Sequence, residues 1–544
     1  MTCLNRLTSI GHFDVFSRHC RRKGYFLDRI KPGSLLQRKL NAVHKDPNSM
    51  AGSAAAHVLI FPFPAQGHVT PMLSLAEILS LSGLRITFLN TEHNHRRLLR
   101  HSPALSGFAR LRNFRFLTIP DGLPEDDPRL SINFFKVQDS MMTSSRDRYK
   151  ELLTQEIDGW PPVTCVVADG ILHLANDVAD EVGVPTLVFR TSSPCSCWVY
   201  QSLPILLHEG VIPFPEECDM DEMVCGVEGM EGIVRRRDLP SFMRFAKSAD
   251  EHIIKFISTL NSHAIRGKGF ILNSFEALDP TLLSIMRSYY PTIYTVGPLH
   301  LHVTSFISNY NEEEAEEEEV DYKSSSGSTS LWQEDRTCMT WLDNQRDKSV
   351  VYVSFGSVAV VSREQLNEFW QGLVNSGHRF LWAVRRDMVV SQGEEMMNGT
   401  AVAEELEKGT KERGCMVDWA PQEEVLAHRA VGCFLTHSGW NSTLEGLVAG
   451  VPMICWPYFA DQMINSRFTS EVWRIGVDMK DRCDRITVER MVREVMEGES
   501  ALRLRSSAAK MGELARKSVE EGGTSRADLE SLVRYIKSTG SDSS

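Results

Sequence analysis

His57-Val-Leu-Ile-Phe-Pro-Phe-Pro64 is an apolar run of strand length, suited to a strand covered on both faces. Gly67 and His68 follow in a loop. Pro71 opens an amphipathic helix through Leu73, Leu75, Ala76, Ile78 and Leu79, and Arg85-Ile-Thr-Phe-Leu89 reads as the next strand. Strand, helix and strand at this spacing predict a βαβ unit with a right-handed crossover, hence a parallel sheet. The pattern recurs outward. Thr164-Cys-Val-Val-Ala168 is a strand ending at Asp169, a helix runs from about Leu172 to Val182, and Thr186-Leu-Val-Phe189 is a strand again. Gly269-Phe-Ile-Leu272 and Ile293-Tyr-Thr-Val296 complete this series, the last stopped by Gly297-Pro298. A second series follows: Ser349 to Phe355, Arg379 to Ala383, Gly432 to Thr436 and Val451 to Cys455. Two such series imply an α/β protein of two doubly wound domains facing across a cleft. Ligands then bind beyond the carboxyl ends of the strands.

A chain of 544 residues exceeds what one core sustains, which agrees with two domains. The expected boundaries are an N-terminal extension at 1–56, an α/β domain at 57–298, a linker at 299–335, a second α/β domain at 336–515, and a C-terminal helix and tail at 516–544. The linker is inferred from the acidic run around Glu312 to Glu319 and from Ser324 to Ser330, a composition that cannot bury a core. The extension is basic and acid-poor, with Arg18, Arg21, Arg22 and Lys23 clustered. It reads either as a targeting segment or as a stretch ahead of a start at Met50.

A net charge of -12 argues against nucleic-acid binding, which needs a concentrated basic surface. The 12 cysteines show no CxxC pair, which favours reduced, packed thiols and a cytoplasmic protein. No apolar stretch reaches the length of a membrane span. A monomer that handles small molecules is expected.

The densest chemical signal lies between Trp419 and Gln462. It comprises Trp419-Ala-Pro-Gln422, His437-Ser-Gly-Trp-Asn-Ser-Thr-Leu-Glu445-Gly446 and Asp461-Gln462. His437 ends a strand, Ser438-Gly439 turns, and a helix begins near Asn441 or Ser442. The free N–H groups of a helix start, with His437, Asn441 and Ser442 around them, form an anion site suited to a diphosphate. Glu445, one turn on, can accept two ribose hydroxyls, and Trp419 offers a face on which a base can stack. Trp440, taken singly, reads as packing more readily than as chemistry.

This segment resembles the signature box of plant secondary-product glycosyltransferases, within the UDP-dependent glycosyltransferase superfamily. Asn273-Ser-Phe-Glu276, Trp341-Leu-Asp343 and Ser354-Phe-Gly-Ser357 extend the likeness over nearly everything after residue 56. The resemblance implies the GT-B arrangement of two Rossmann-like domains. It also implies UDP-sugar contacts from Ser357, Trp419, Ala420, Gln422, His437, Trp440, Asn441, Ser442, Glu445, Asp461 and Gln462. Trp419 would stack on uracil, Glu445 would hold the ribose, and Asp461 and Gln462 would hold the sugar. A closing glutamine leans towards glucose, which makes UDP-glucose a co-substrate, with no cofactor or metal expected.

Transfer of a sugar to a hydroxyl needs a base. Histidine as a residue type can take a proton and pass it on near neutral pH, which makes His68 the candidate, and Asp169, at the end of another strand of the same domain, can orient it. The resemblance assigns catalysis to these two residues and a sugar contact to Thr191. Asp219-Met-Asp221 has the spacing of a metal-binding DxD but sits in a polar loop rather than after a strand. Met230 to Phe242 is similar to the corresponding stretch of plant iridoid glucosyltransferases, those acting on 7-deoxyloganetic acid in particular. Arg235, Arg236 or Arg237 could attract an acidic acceptor, or be a solvent-facing basic cluster. An iridoid or other terpenoid acceptor is therefore a lead. Flavonoid or phenolic acceptors, and a non-catalytic metabolite binder, are the alternatives. A dehydrogenase is disfavoured, because no GxGxxG follows the first strand.

Overall fold

The structure is a computed structural model that describes residues 56–102, 105–127, 129, 134–290, 292–314, 329–385, 389–390, 410 and 413–541. The extension with Met50, and the acidic and serine run from 315 to 328, lie outside the described residues.

Seven strands make the first sheet: β1 (His57–Phe61), β2 (Arg85–Thr91), β3 (Phe114–Ile119), β4 (Cys165–Asp169), β5 (Thr186–Arg190), β6 (Phe270–Leu272) and β7 (Ile293–Thr295). Their order is β3-β2-β1-β4-β5-β6-β7, and every pairing is parallel. Val58, Leu59, Ile60 and Phe61 of β1 are completely buried, as a central strand with helices on both faces requires. The second sheet holds β8 (Val350–Ser354), β10 (Arg379–Ala383), β12 (Gly414–Val417), β13 (Val431–Thr436), β14 (Met453–Cys455) and β15 (Gly476–Asp478). Its order is β12-β10-β8-β13-β14-β15, again all parallel. A two-stranded ribbon of β9 (Val361–Ser362) and β11 (Val389–Val390) stands beside it. Each sheet reverses its winding once, between β1 and β4 in the first and between β8 and β13 in the second. These are the two places where a doubly wound sheet leaves a crevice.

Three boundaries differ from the sequence reading. The helix after β1 spans Gln66–Leu81, so Pro71 lies inside it rather than at its start, and His68 stands in its first turn rather than in a loop. Pro71 has no N–H to donate to the carbonyl of Gly67 four residues back. Asn441 Nδ2, from the other half of the molecule, donates to that carbonyl at 3.1 Å instead. The expected linker begins with a helix, Leu299–Glu314, in which Leu299, His302 and Ile307 are buried. Its apolar residues at 299, 301, 303, 306 and 307 suit a helix face, a signal overshadowed by the acidic run that follows. The expected boundary at 515 falls inside the Gly498–Val519 helix. The last helix, Thr524–Ser541, then returns to the first sheet. Leu529, Leu532 and Ile536 join that sheet's core, and Asp528 accepts hydrogen bonds from Thr295 N at 2.8 Å and Thr295 Oγ1 at 2.7 Å.

Candidate active site

A cavity of about 1740 Å³ opens between the carboxyl ends of the two sheets and is lined by residues from both. His68 reaches it from the helix after β1, and Asp169 from the end of β4, on either side of the first sheet's reversal. His68 Nδ1 lies 2.8 Å from Asp169 Oδ2. Asp169 is completely buried, and its remaining capacity is filled by the N–H of Phe63 on Oδ2 and of Ile171 on Oδ1, both at 3.1 Å. These hydrogen bonds fix the carboxyl group in place. With Nδ1–H given to Asp169, His68 carries its lone pair on Nε2. That tautomer follows from the hydrogen-bond network. Thr191 Oγ1, just past β5, stands 3.1 Å from the same Nδ1. Phe63 meets the imidazole edge-on, with ring centroids 5.6 Å apart.

The second sheet supplies the opposite wall. β13 ends at Thr436, His437 follows, and Ser438 turns the chain with φ 63°. The Trp440–Val448 helix starts there with Gly439 at its N-cap, one residue before the predicted start. Its first N–H groups border the cavity, where anions are favoured. A Cβ on Gly356 or on Gly439 would sit 2.5 or 2.4 Å from the His437 ring, so both glycines make room for that imidazole. Burial, reinforced by the nearby Arg385 cation, pushes His437 down to about 4 and keeps its ring neutral. Arg385 also donates to the carbonyls of Gly356 and Ala359, each at 2.9 Å, which fixes the loop that carries Ser357.

Gln422 organises the next part of this wall. Its Nε2 donates to Ser442 Oγ at 2.8 Å and to Glu445 Oε2 at 2.7 Å, while its Oε1 accepts from Tyr352 Oη at 3.1 Å. Burial, with a smaller contribution from the Glu423 charge, raises Glu445 to about 8. Burial likewise raises Asp461 to about 6, although Asn465 Nδ2 donates to it at 2.9 Å. Two carboxyls held in reserve of donors at a cavity wall suit ligand hydroxyls. Gln462 Oε1 accepts from the N–H groups of Tyr458 and Phe459 at 2.8 and 3.0 Å, which leaves its amide nitrogen as the polar end for a ligand. Trp419 and Ala420 line the same wall.

Two sequence-based expectations shift. The Trp440 ring is buried and its Nε1 donates to the Asn273 carbonyl at 2.9 Å, so this indole ties the two halves together. Trp440 also stands at the helix start that borders the cavity. The arginine stretch does not line the cavity. Arg235 pairs with Asp221, Asp238 and Asp478, Arg236 with Glu222, and Arg237 with Asp221. Asp238 is completely buried and also binds Lys480 and Arg467 of the other half. These arginines anchor an ion network between the halves. The same pairs occupy Asp221 of the DxD sequence, and among the described residues no cluster of three or more His, Cys, Asp or Glu has metal-binding geometry.

The sequence reading missed Trp332, Arg97 and Arg385. Trp332 stacks on Trp419 with centroids 4.9 Å apart and planes at 19°, and the Arg97 guanidinium lies 4.2 Å from its centre. Trp332 falls in the supposed linker, outside every motif. Arg385 follows the end of β10, a position from which the doubly wound pattern alone could have marked it.

The comparisons agree with this geometry. The family model described as UDP-glucoronosyl and UDP-glucosyl transferase matches residues 320–505. A myricetin 3-O-rhamnoside 1,2-glucosyltransferase of Crocosmia x crocosmiiflora is 49% identical over 89% of this chain and 96% of its own length. A 7-deoxyloganetic acid glucosyltransferase of Catharanthus roseus is 48% identical over 90% of this chain and 99% of its own. Among solved structures, Os79 of O. sativa in complex with UDP matches with a TM-score of 0.70 at 29% identity, covering 88% of this chain and 100% of that one. A UDP-glucose:anthocyanidin 3-O-glucosyltransferase in complex with UDP matches with a TM-score of 0.72 at 25% identity, covering 90% and 100%. The protein belongs to the UDP-glycosyltransferase family, and its two facing parallel sheets are the GT-B fold. It is an enzyme of that family, and no helix among the described residues is long and apolar enough to cross a membrane.

Proposed function

We propose that the protein transfers glucose from UDP-glucose, with inversion, to a hydroxyl of a small lipophilic acceptor, an iridoid or another terpenoid ahead of a flavonoid or phenolic. The observation that carries this reading is the His68–Asp169 pair at 2.8 Å, set across one cavity from the start of the Trp440 helix. His68 Nε2 takes the acceptor proton as the acceptor oxygen attacks the anomeric carbon. The bond from that carbon to the diphosphate breaks, and UDP leaves with its electron pair. Asp169 orients the imidazole and stabilises the imidazolium. One displacement inverts the anomeric centre.

The second sheet's wall carries the donor. Trp419 and Ala420 take the uracil, while Gln422 and Glu445 take the ribose. Ser357, His437, Asn441, Ser442 and the backbone at Trp440 take the diphosphate. Asp461 and Gln462 take the sugar hydroxyls, and Thr191 faces the sugar beside His68. Helix-end amides and neutral donors balance the leaving diphosphate, so no metal enters the scheme. The enzyme acts as a cytoplasmic monomer. Two features favour a terpenoid. Relatives at 48% identity are named for 7-deoxyloganetic acid, and Ser241 and Phe242, from the stretch similar to iridoid enzymes, line the cavity. The named activity of the Crocosmia relative keeps a flavonoid glycoside as the second reading. The intact base pair counts against a non-catalytic binder.

The test is turnover of UDP-glucose and UDP-galactose with iridoid, flavonoid and monoterpenol aglycones, with the product's anomeric configuration read by NMR. The expected result is a β-glucoside formed faster from UDP-glucose. An α-glucoside would contradict the single displacement, and a preference for UDP-galactose would contradict the role given to Gln462.

A further inference from the structure

Arg190 ends β5 and is 95% buried by its 5% residual exposure, yet it lines the cavity on the acceptor side. Among the described residues its guanidinium has one hydrogen bond to oxygen, from Nη1 to the Gly170 carbonyl at 3.3 Å, and it stands beside the Cys197 thiol. Among the described residues it has no ion pair. Asp169, at the end of the adjoining strand, is engaged by His68 and two backbone N–H groups. Gly170 is what admits the side chain, because a Cβ there would lie 2.6 Å from Arg190 Cδ and 3.0 Å from Nη1. The hydroxyl of Ser192, two residues on, is also buried at the cavity and has no partner among the described residues. Two other buried cations are paired, Arg467 with Asp238 and Glu471, and Lys480 with Asp238 and Asp478. A buried cation without an anion is costly, and the cost falls when a ligand brings the anion.

Resting on the glucosyltransferase reading, we propose that Arg190 is the counter-ion of the acceptor, and that the acceptor class is a lipophilic carboxylic acid. Phe134, Tyr200, Phe242, Phe256 and Leu260 form the apolar surroundings for its carbon skeleton. The planar guanidinium matches a carboxylate, and Ser192 Oγ donates a further hydrogen bond to it. With its acid group held at Arg190, the acceptor presents a hydroxyl to His68. Arg190 is thus a specificity residue, and the role first considered for Arg235, Arg236 and Arg237 passes to it.

The experiment measures kcat/KM with UDP-glucose for pairs of carboxylic acid and methyl ester on iridoid, monoterpenoid and phenolic skeletons, 7-deoxyloganetic acid and its methyl ester among them. It is run on the wild type, Arg190→Leu and Arg190→Lys, after UDP affinity and melting temperature have been recorded for each. The wild type is expected to prefer the acid. Arg190→Leu lowers the acid-to-ester ratio by roughly 10- to 100-fold, chiefly through KM, the size of a lost charged hydrogen bond. Arg190→Lys keeps part of the ratio, and Arg190→Leu melts no lower than the wild type because no ion pair is lost. A ratio unchanged in Arg190→Leu, or a lower melting temperature without a change in ratio, overturns the proposal in favour of a structural arginine. Preferred turnover of esters or of uncharged flavonoids overturns it while the glucosyltransferase reading stands. Absence of turnover with every pair contradicts both.

Discussion

The two sheets reverse their winding at equivalent places, yet they equip those places differently. In the first, the crevice between β1 and β4 receives His68 and Asp169, one on a helix start and one on a strand end. Their contacts are already complete: Asp169 is saturated by donors within its own half, so the pair is preorganised without any ligand. In the second, the crevice between β8 and β13 receives His437 and the start of the Trp440 helix, and its carboxyls are incomplete. Glu445 and Asp461 are both pushed towards protonation by burial, the expected condition of groups whose partners arrive with the ligand. On the proposed roles, the reacting proton belongs to a rigid pair, and donor binding to a wall whose carboxyls are raised by burial. Preorganisation of the first kind supports rate, and a site of the second kind supports recognition.

This contrast can be broken most sharply at Asp169. Asp169→Asn removes the carboxyl group proposed to orient His68 and to stabilise its imidazolium. It is expected to lower kcat by roughly 10²- to 10⁴-fold with little change in UDP affinity. A comparable loss in UDP binding, read by calorimetry, would show that the two crevices are not separable.

A smaller effect sharpens the other side. Glu445 ordinarily titrates near 4.5, and in the ligand-free fold it stands at about 8, so the folded protein binds this proton more tightly than the unfolded chain does. Stability of the ligand-free enzyme attributable to Glu445 is therefore full below about 4.5 and is lost as pH rises towards about 8. Ribose hydroxyls donate to the ionised carboxylate, so donor binding expels the proton. UDP-glucose affinity should rise between pH 6 and pH 8 by at most about tenfold per pH unit, and Glu445→Gln should bind more weakly with a flatter profile. Calorimetry in two buffers of different ionisation enthalpy measures the released proton. Affinity that falls with pH would mean that Glu445 binds the ribose as an acid.

The donor half was largely legible because its chemistry is contiguous. Trp419 to Gln462 places an indole ring, a helix start and seven candidate polar side chains in one segment, and the helix begins within a residue or two of its expected place. His68 and Asp169 were legible because strand ends in a doubly wound sheet point to the cleft. What the sequence hid depends on distance in space. Pro71 reads locally as a helix start, and only the hydrogen bond from Asn441, 374 residues away in the chain on the paired carbonyl, explains its place inside the helix. Trp332 lies beyond a stretch whose composition signals a linker. Arg235 looks like a free cation until Asp238 and Asp478 are seen beside it, and Arg190 looks like an ordinary strand end until its lack of an anion among the described residues is seen. Charge pairing is a tertiary property, and a single sequence does not display it.

The most direct test of the account is His68→Ala, assayed for turnover with UDP-glucose and an alcohol acceptor and, in parallel, for UDP binding by calorimetry. A fall in kcat of roughly 10²- to 10⁴-fold, with the UDP dissociation constant within about twofold of the wild type, is the expected result. Full turnover of an acceptor of ordinary nucleophilicity would contradict the assignment of His68 as the base.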